Sequence, residues 1–228
     1  MVMKNLGFAD LGFDWDLGFG PWDFFAIKRP TSPLAFSHPF PDIHIMQLIE
    51  TAIADIKVLV PKKIGDNRGF FSEVYSRKAL AAVGIHDQFV QDNHSLSVEK
   101  GVVRGLHYQL PPSGQVKLVR VVAGAILDVV VDVRRSSPTF GKHVAVELSA
   151  ENWKQIYVPV GFAHGFVTLQ PHTQVLYKVT SEYAPQAERA IRWNDPALGI
   201  EWGVDEASAT LSGRDRAHPL LKDQVDLL

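Results

Sequence analysis

From Ile53 onward the chain is cut into short runs rich in Val, Ile, Phe and Tyr by turns of Gly, Pro, Asn and Asp. β-Branched and aromatic side chains suit a pleated, half-buried surface, and runs bounded this closely are too short for ordinary helices. After IKVLVP, the turn KIGDNRG and FFSEVY, strands are predicted at Val90–Ser97, Gly101–Tyr108, Val116–Val122, Ala125–Val133, His143–Leu148, Gln155–Pro159, Gly165–Leu169, Gln174–Thr180 and Arg189–Trp193. Many short strands at near-regular spacing predict an all-β sandwich or barrel. Lys78–Val83, closed by Gly84, is one brief helical candidate, so helices should be few and short. In His143–Leu148 the alternation is clean, with Val144, Val146 and Leu148 on one face and His143 and Glu147 on the other, as one buried face requires.

Residues 1–45 read differently. LGF recurs at Leu6, Leu11 and Leu17, broken up by Asp10, Asp14, Asp16 and Asp23 and followed by Pro30, Pro33, Pro39 and Pro41. This imperfect repeat lacks the continuous apolar stretch of a signal peptide or a membrane helix, and it predicts a low-complexity, poorly ordered N-terminal extension. Residues 46–228 then form the domain; with 46% hydrophobic residues over 228 positions, the chain fits one core of ordinary size. A formal net charge of −2 argues against a nucleic-acid partner held by bulk electrostatics. The absence of cysteine excludes disulfides and thiolate metal sites and agrees with a cytoplasmic protein.

Chemistry concentrates in Gly101–Val122, where Arg104, His107 and Lys117 lie on two strand-like runs joined by a Pro/Gly turn. Read as a hairpin, the stretch aims an imidazole and two cations at one cavity; solvated surface charge is the other reading. AILDVVVDV places Asp128 and Asp132 on one face of an apolar strand. Asp132, near the strand end, is read as solvated, which leaves Asp128 to orient a catalytic imidazole or to pair with Lys117. In Val158–Leu169, Pro159 and Gly161 turn tightly into a strand that carries His164, and Gly165 permits close backbone approach.

These residues resemble known proteins. The spacing P-x-G-x-x-H at Pro159–His164 is similar to the second cupin motif, and Gly101 with His107 has the opening spacing of the first. Where metal-binding cupins continue as H-x-H, this chain has His107-Tyr108-Gln109 with Lys117 downstream. A cation opposes metal binding there, so a metal-free cupin is expected. More narrowly, DNRGFFSE (66–73), FVQDNHS (89–95), VVRGLHYQ (102–109), GQVKLVRVV (114–122), DVVVDVRRSSPTFG (128–141), VPVGFAHGF (158–166), VLYK (175–178), RWNDPALGIEW (192–202) and LSGRD (211–215) resemble the dTDP-4-dehydrorhamnose 3,5-epimerase family, in order, from about Ile53 to the C-terminus. That resemblance implies a cupin-type jelly roll, no metal, no cofactor, and a dTDP-linked 4-keto-6-deoxyhexose substrate in dTDP-L-rhamnose biosynthesis. It makes His107 the base, Asp215 its carboxylate partner and Tyr177 the opposing acid. It puts Arg68, Glu73, Gln91, Asn93, Arg104, Lys117, His164, Glu188 and Arg214 at substrate contacts, with Arg214 standing where Lys is frequent; Asp92, between Gln91 and Asn93, is a further substrate-binding candidate. It further implies a homodimer in which the region of Arg68 and Glu73 reaches the partner's site.

Inverting a sugar carbon beside a ketone needs a base, a stabiliser for the enolate and an acid on the other face. An imidazole near its ordinary pKa serves as base, with Asp215 or Asp128 fixing its tautomer. Lys117 is the candidate for the oxyanion and Tyr177 for the returning proton. Arg68 and Arg104 suit a diphosphate, and Phe70, Phe71 and Tyr183 offer rings to stack on a base. A single-carbon epimerase keeps the same residues; a non-catalytic sugar-nucleotide-binding cupin and a metal-dependent cupin oxygenase are the readings from other classes.

Overall fold

A computed structural model describes residues 46–228, so the expectation of a poorly ordered extension over residues 1–45 lies outside them. The strands are β1 (Met46–Glu50), β2 (Lys57–Pro61), β3 (Ile64–Asp66), β4 (Gly69–Phe71), β5 (Gln91–Ser97), β6 (Val103–Gln109), β7 (Lys117–Ala123), β8 (Ala125–Asp132), β9 (His143–Ser149), β10 (Gln155–Val158), β11 (Phe162–Thr168), β12 (Thr173–Val179) and β13 (Glu188–Ala190). One sheet has the order β1-β2-β10-β7-β12-β5, the other β13-β6-β11-β8-β9, and β3 pairs with β4 as a separate hairpin. All these pairings are antiparallel. The architecture is the cupin-type sandwich that the short strands and motif spacings predict.

Alternation along the strands builds the layer between the sheets. Val58, Val119, Val121, Ile156, Val158 and Val175 meet Ile126, Val130, Val144, Leu148, Phe162 and Phe166 there, with Val146 packed against them. The predicted face of β9 is therefore the buried one. On the outside of the smaller sheet, Val103, Leu106, Val129 and Val131 pack under Ile191, Trp193, Trp202 and Leu221 of the C-terminal segment. The predicted helix is α1 (Arg77–Ala82), capped by Ser76 and ended by Gly84 at φ +79, and its Leu80 seals Leu59 and Leu118 on the outer face of the larger sheet.

Two expectations change. The segment KIGDNRG is not a bare turn: it holds the β3–β4 hairpin, with Asp66 accepting from Arg68 N at 2.9 Å at its tip. Nor do β6 and β7 form a hairpin, since they belong to different sheets. Two consecutive prolines, Pro111 and Pro112, have no N–H to extend a ladder, and Ser113 N closes a turn on Leu110 O at 3.0 Å. The link therefore carries the chain across the sandwich, and His107 and Lys117 reach the interior from opposite walls.

Behind His107 the backbones of β6 and β11 approach closely. A Cβ at Gly165 would sit 2.6 Å from Arg104 O and 2.9 Å from Gly105 Cα. Backbone cannot yield as a flexible side chain can, so Gly165→Ala should destabilise by about 1–3 kcal/mol or more, as overpacking does. A lowered urea midpoint checks this; an unchanged one means the strands separate freely.

Candidate active site

The interior opens into a cavity of about 140 Å³ whose lining includes Gln91 and Asn93 of β5, His107 and Gln109 of β6, Lys117 of β7 and Tyr177 of β12, with Tyr183 and Glu188 at the rim. A larger groove of about 390 Å³ runs between β1 and β9, lined by Ile49, Val58, Val144 and Val146; it holds none of the residues predicted for the site. The smaller cavity is the chemically equipped one.

His107 is held from outside the sheets. Its Nε2 lies 2.7 Å from Asp215 Oδ1, across 108 residues of sequence. Asp215 sits in α2 (Gly213–Arg216), where Ser212 caps the helix by accepting from Asp215 N at 3.1 Å and donates its own Oγ–H to Asp215 Oδ2 at 2.7 Å. Burial opposes ionisation of this carboxyl, but the hydrogen bonds from His107 and Ser212, with the His218 ring close by, outweigh it and hold its pKa far below the usual carboxylate range. An ionised Asp215 only accepts, so Nε2 of neutral His107 carries the proton and Nδ1 is left with a lone pair. Of the two carboxylates considered for this task, Asp215 holds His107.

Asp128 has a different partner, and this corrects its reading as the orienter of a catalytic His107. Its Oδ2 lies 2.8 Å from Nε2 of buried His164, while its Oδ1 has no hydrogen-bond partner. Asp132 is also corrected. It is fully buried and accepts from Arg134 Nε at 2.9 Å, Ser137 Oγ at 2.6 Å and Thr139 Oγ1 at 2.6 Å. Burial works against its charge, but these donors keep its pKa at about 2. The strand end is a clamp rather than a solvated tip.

Lys117 lies with Nζ 3.5 Å from the His107 carbonyl. Burial pushes its pKa down to about 8, against the opposing pull of Asp128 and Glu188. Tyr177 stands on the facing sheet, and burial raises its pKa more than nearby Arg104 lowers it, so the phenol keeps its proton. Burial works against ionisation of Glu188 as well, yet hydrogen bonds from Arg214 and Tyr183 prevail and keep it charged. Tyr183 donates to Glu188 Oε2 at 3.0 Å, and Arg214 pairs with the same oxygen.

Other predicted residues are distributed more widely. Asp92 points away from the cavity: strand alternation turns it outward to Lys178 Nζ at 2.8 Å, while Gln91 and Asn93 face in. Arg104 is exposed near the rim, its Nε 3.4 Å from Ser97 Oγ. Arg68, Phe70 and Phe71 belong to the β3–β4 hairpin and Glu73 follows it; none lines the cavity of its own chain. Phe70 instead sits edge-on to Trp153 at 5.0 Å, and Phe71 is 68% exposed.

Sequence reasoning missed His218, which meets the His107 ring edge-to-face at 5.4 Å, and it missed Ser212 and Gln115. The alternation of strands gives no signal in the irregular C-terminal stretch that holds Ser212 and His218, nor in the link between β6 and β7 that holds Gln115. Gln109, at the second histidine place of a metal-binding cupin, donates to Ser113 O at 2.6 Å and accepts from Ala184 N at 2.9 Å, so its amide ties down backbone.

Comparison with known proteins matches residues 50–223 to the family model described as dTDP-4-dehydrorhamnose 3,5-epimerase. The chain belongs to this family. Among its members, the enzyme of that name from Salmonella typhimurium is 51% identical over 178 residues, 78% of this chain and 96% of the relative. A solved structure of the epimerase from Bacillus anthracis, with TDP and pyrophosphate bound, shares 50% identity with a TM-score of 0.75, covering 77% of this chain and 99% of that one. The corresponding epimerase of Legionella pneumophila, in complex with dTDP-4-keto-L-rhamnose, shares 47% identity at a TM-score of 0.75, covering 79% and 95%. A 3′-monoepimerase from Streptomyces bikiniensis in complex with dTDP-quinovose is similar at 36% identity and a TM-score of 0.71, covering 76% and 87%. Among the described residues no helix is long and apolar enough to cross a membrane.

Proposed function

We propose that this chain epimerises dTDP-4-dehydro-6-deoxy-D-glucose at carbons 3 and 5, giving dTDP-4-dehydro-L-rhamnose, in the cytoplasmic synthesis of dTDP-L-rhamnose. The observation that carries this reading is the pairing of a carboxylate-held imidazole on one sheet with a buried phenol on the other across one cavity. His107 Nδ1 takes the proton from the carbon next to the ketone, and the electron pair moves into the C–C bond and onto the carbonyl oxygen. Lys117 stabilises that oxygen, and Tyr177 O–H returns a proton from the opposite face. Once His107 has passed its proton to solvent and Tyr177 has taken one back, the same exchange at the second carbon completes the inversion. No step requires a cofactor. Gln91, Asn93, Arg104, His164, Glu188 and Arg214 hold the substrate in this reading, with Tyr183 against the nucleotide base.

A homodimer is part of the proposal. The hairpin exposes Phe70 and Phe71 and carries Arg68 without lining its own cavity, so a second copy gives these residues and Glu73 a cavity to complete.

Turnover of the ketosugar, coupled to a reductase that accepts only the epimerised ketone, tests the activity. In heavy water, two deuterons per product are expected, at carbons 3 and 5. Similarity to the monoepimerase supports a second reading, for which deuterium at one carbon alone is the signature. Residues 46–228 are proposed to be sufficient for all of this. Deleting residues 1–45 should leave the melting temperature and turnover within error of the full chain, and a large fall in either would make the extension structural.

A further inference from the structure

Outside the cavity, the dyad has a third member that the proposed reaction does not use. His218 Nε2 lies 3.4 Å from Asp215 Oδ1, the same oxygen that meets His107 Nε2 at 2.7 Å, yet this buried nitrogen is not aligned for a hydrogen bond and has no partner. The three ligand-type atoms fall within 4.8 Å of one another. Zinc holds His nitrogens and carboxylate oxygens at about 2.0–2.2 Å, so neighbouring ligands of a tetrahedral ion stand about 3.3–3.6 Å apart. His218 Nε2 and Asp215 Oδ1, at 3.4 Å, already have that spacing, while His107 Nε2 stands closer to the same oxygen at 2.7 Å. The ligand set is two imidazoles and one carboxylate, suited to a borderline metal. The His107 side chain itself is not sealed, being 32% exposed.

We propose that His107, Asp215 and His218 form an inhibitory zinc site, distinct from any cupin metal position because it lies on the Nε2 side of His107. Binding exchanges the two ring nitrogens of His107. Nε2 gives its lone pair to zinc, so in the neutral ring the proton relocates to Nδ1. That nitrogen then has no lone pair for the substrate. No proton is released when both imidazoles start neutral, and chelation restores the original tautomer. A catalytic dyad would in this way become a metal sensor through one extra histidine. The binding claim stands independently of the proposed reaction; the inhibition rests on it.

The test uses the full chain, stripped with EDTA and titrated with zinc alone. One zinc per chain should bind at the site, shifting the imidazole ¹⁵N resonances of both His107 and His218. His218→Gln and His218→Phe, the latter keeping a ring against His107, should weaken binding at least about tenfold. Each variant, compared with its own turnover in EDTA, should resist a zinc concentration that silences the wild type. Unmoved resonances in the wild type, or equal zinc affinity in folded His218 variants, would overturn the site. Zinc that binds through these residues while turnover continues would instead overturn His107 as the base and leave the metal site standing.

Discussion

Replacing His107 by alanine should lower turnover by about 10²–10⁴-fold, the usual cost of losing a general base, while dTDP still binds. The two effects separate because different groups serve them. The imidazole is fixed by Asp215 and Ser212 from the C-terminal segment, whereas Arg104, Glu188 and Arg214 lie toward the rim. Steady-state kinetics beside calorimetry with dTDP distinguishes them. A variant within a few-fold of wild type would place the base elsewhere; one that binds no dTDP would show that His107 anchors the nucleotide.

Tyr177→Phe should separate the two halves of the reaction. Only a hydroxyl is lost, so packing against the inter-sheet core persists and His107 can still draw off the proton. Return from the far face then lacks its donor. Solvent deuterium should still enter the sugar with retained configuration, or at one carbon only, while inverted product falls by a smaller factor than in His107→Ala, because water partly replaces the phenol. Doubly inverted sugar formed at the wild-type rate would leave the acid to another residue.

Strand positions were readable from the sequence because burial and alternation are local. β8 was predicted at Ala125–Val133 and spans Ala125–Asp132, and the inward set of β9 follows directly from Val144, Val146 and Leu148. Connections were less readable. Nothing within Leu110–Val116 distinguishes a hairpin turn from a crossover, since both use Pro and Gly; the sheet to which each flanking strand adds decides. Asp132 reads as a solvated strand end until Arg134, Ser137 and Thr139 fold back over it. Asp215 entered through family resemblance alone, and His218 not at all. Both lie in a stretch without strand period, and their approach to His107 is made by the whole chain returning beneath the smaller sheet.

The crossing of the chain between β6 and β7 has a mechanical consequence. With the base on one sheet and the phenol and lysine on the other, the gap a substrate must fill is the thickness of the sandwich, fixed by how Val119, Val175, Val130 and Phe166 stack. A loop-borne acid would adjust to each ligand; a wall does not. Trimming that stack lets the two walls settle toward each other and changes the span over which protons are given and taken. Since misplacement by about 1 Å can cost about 10²-fold in rate, residues that never meet the sugar set the calibre of the reaction.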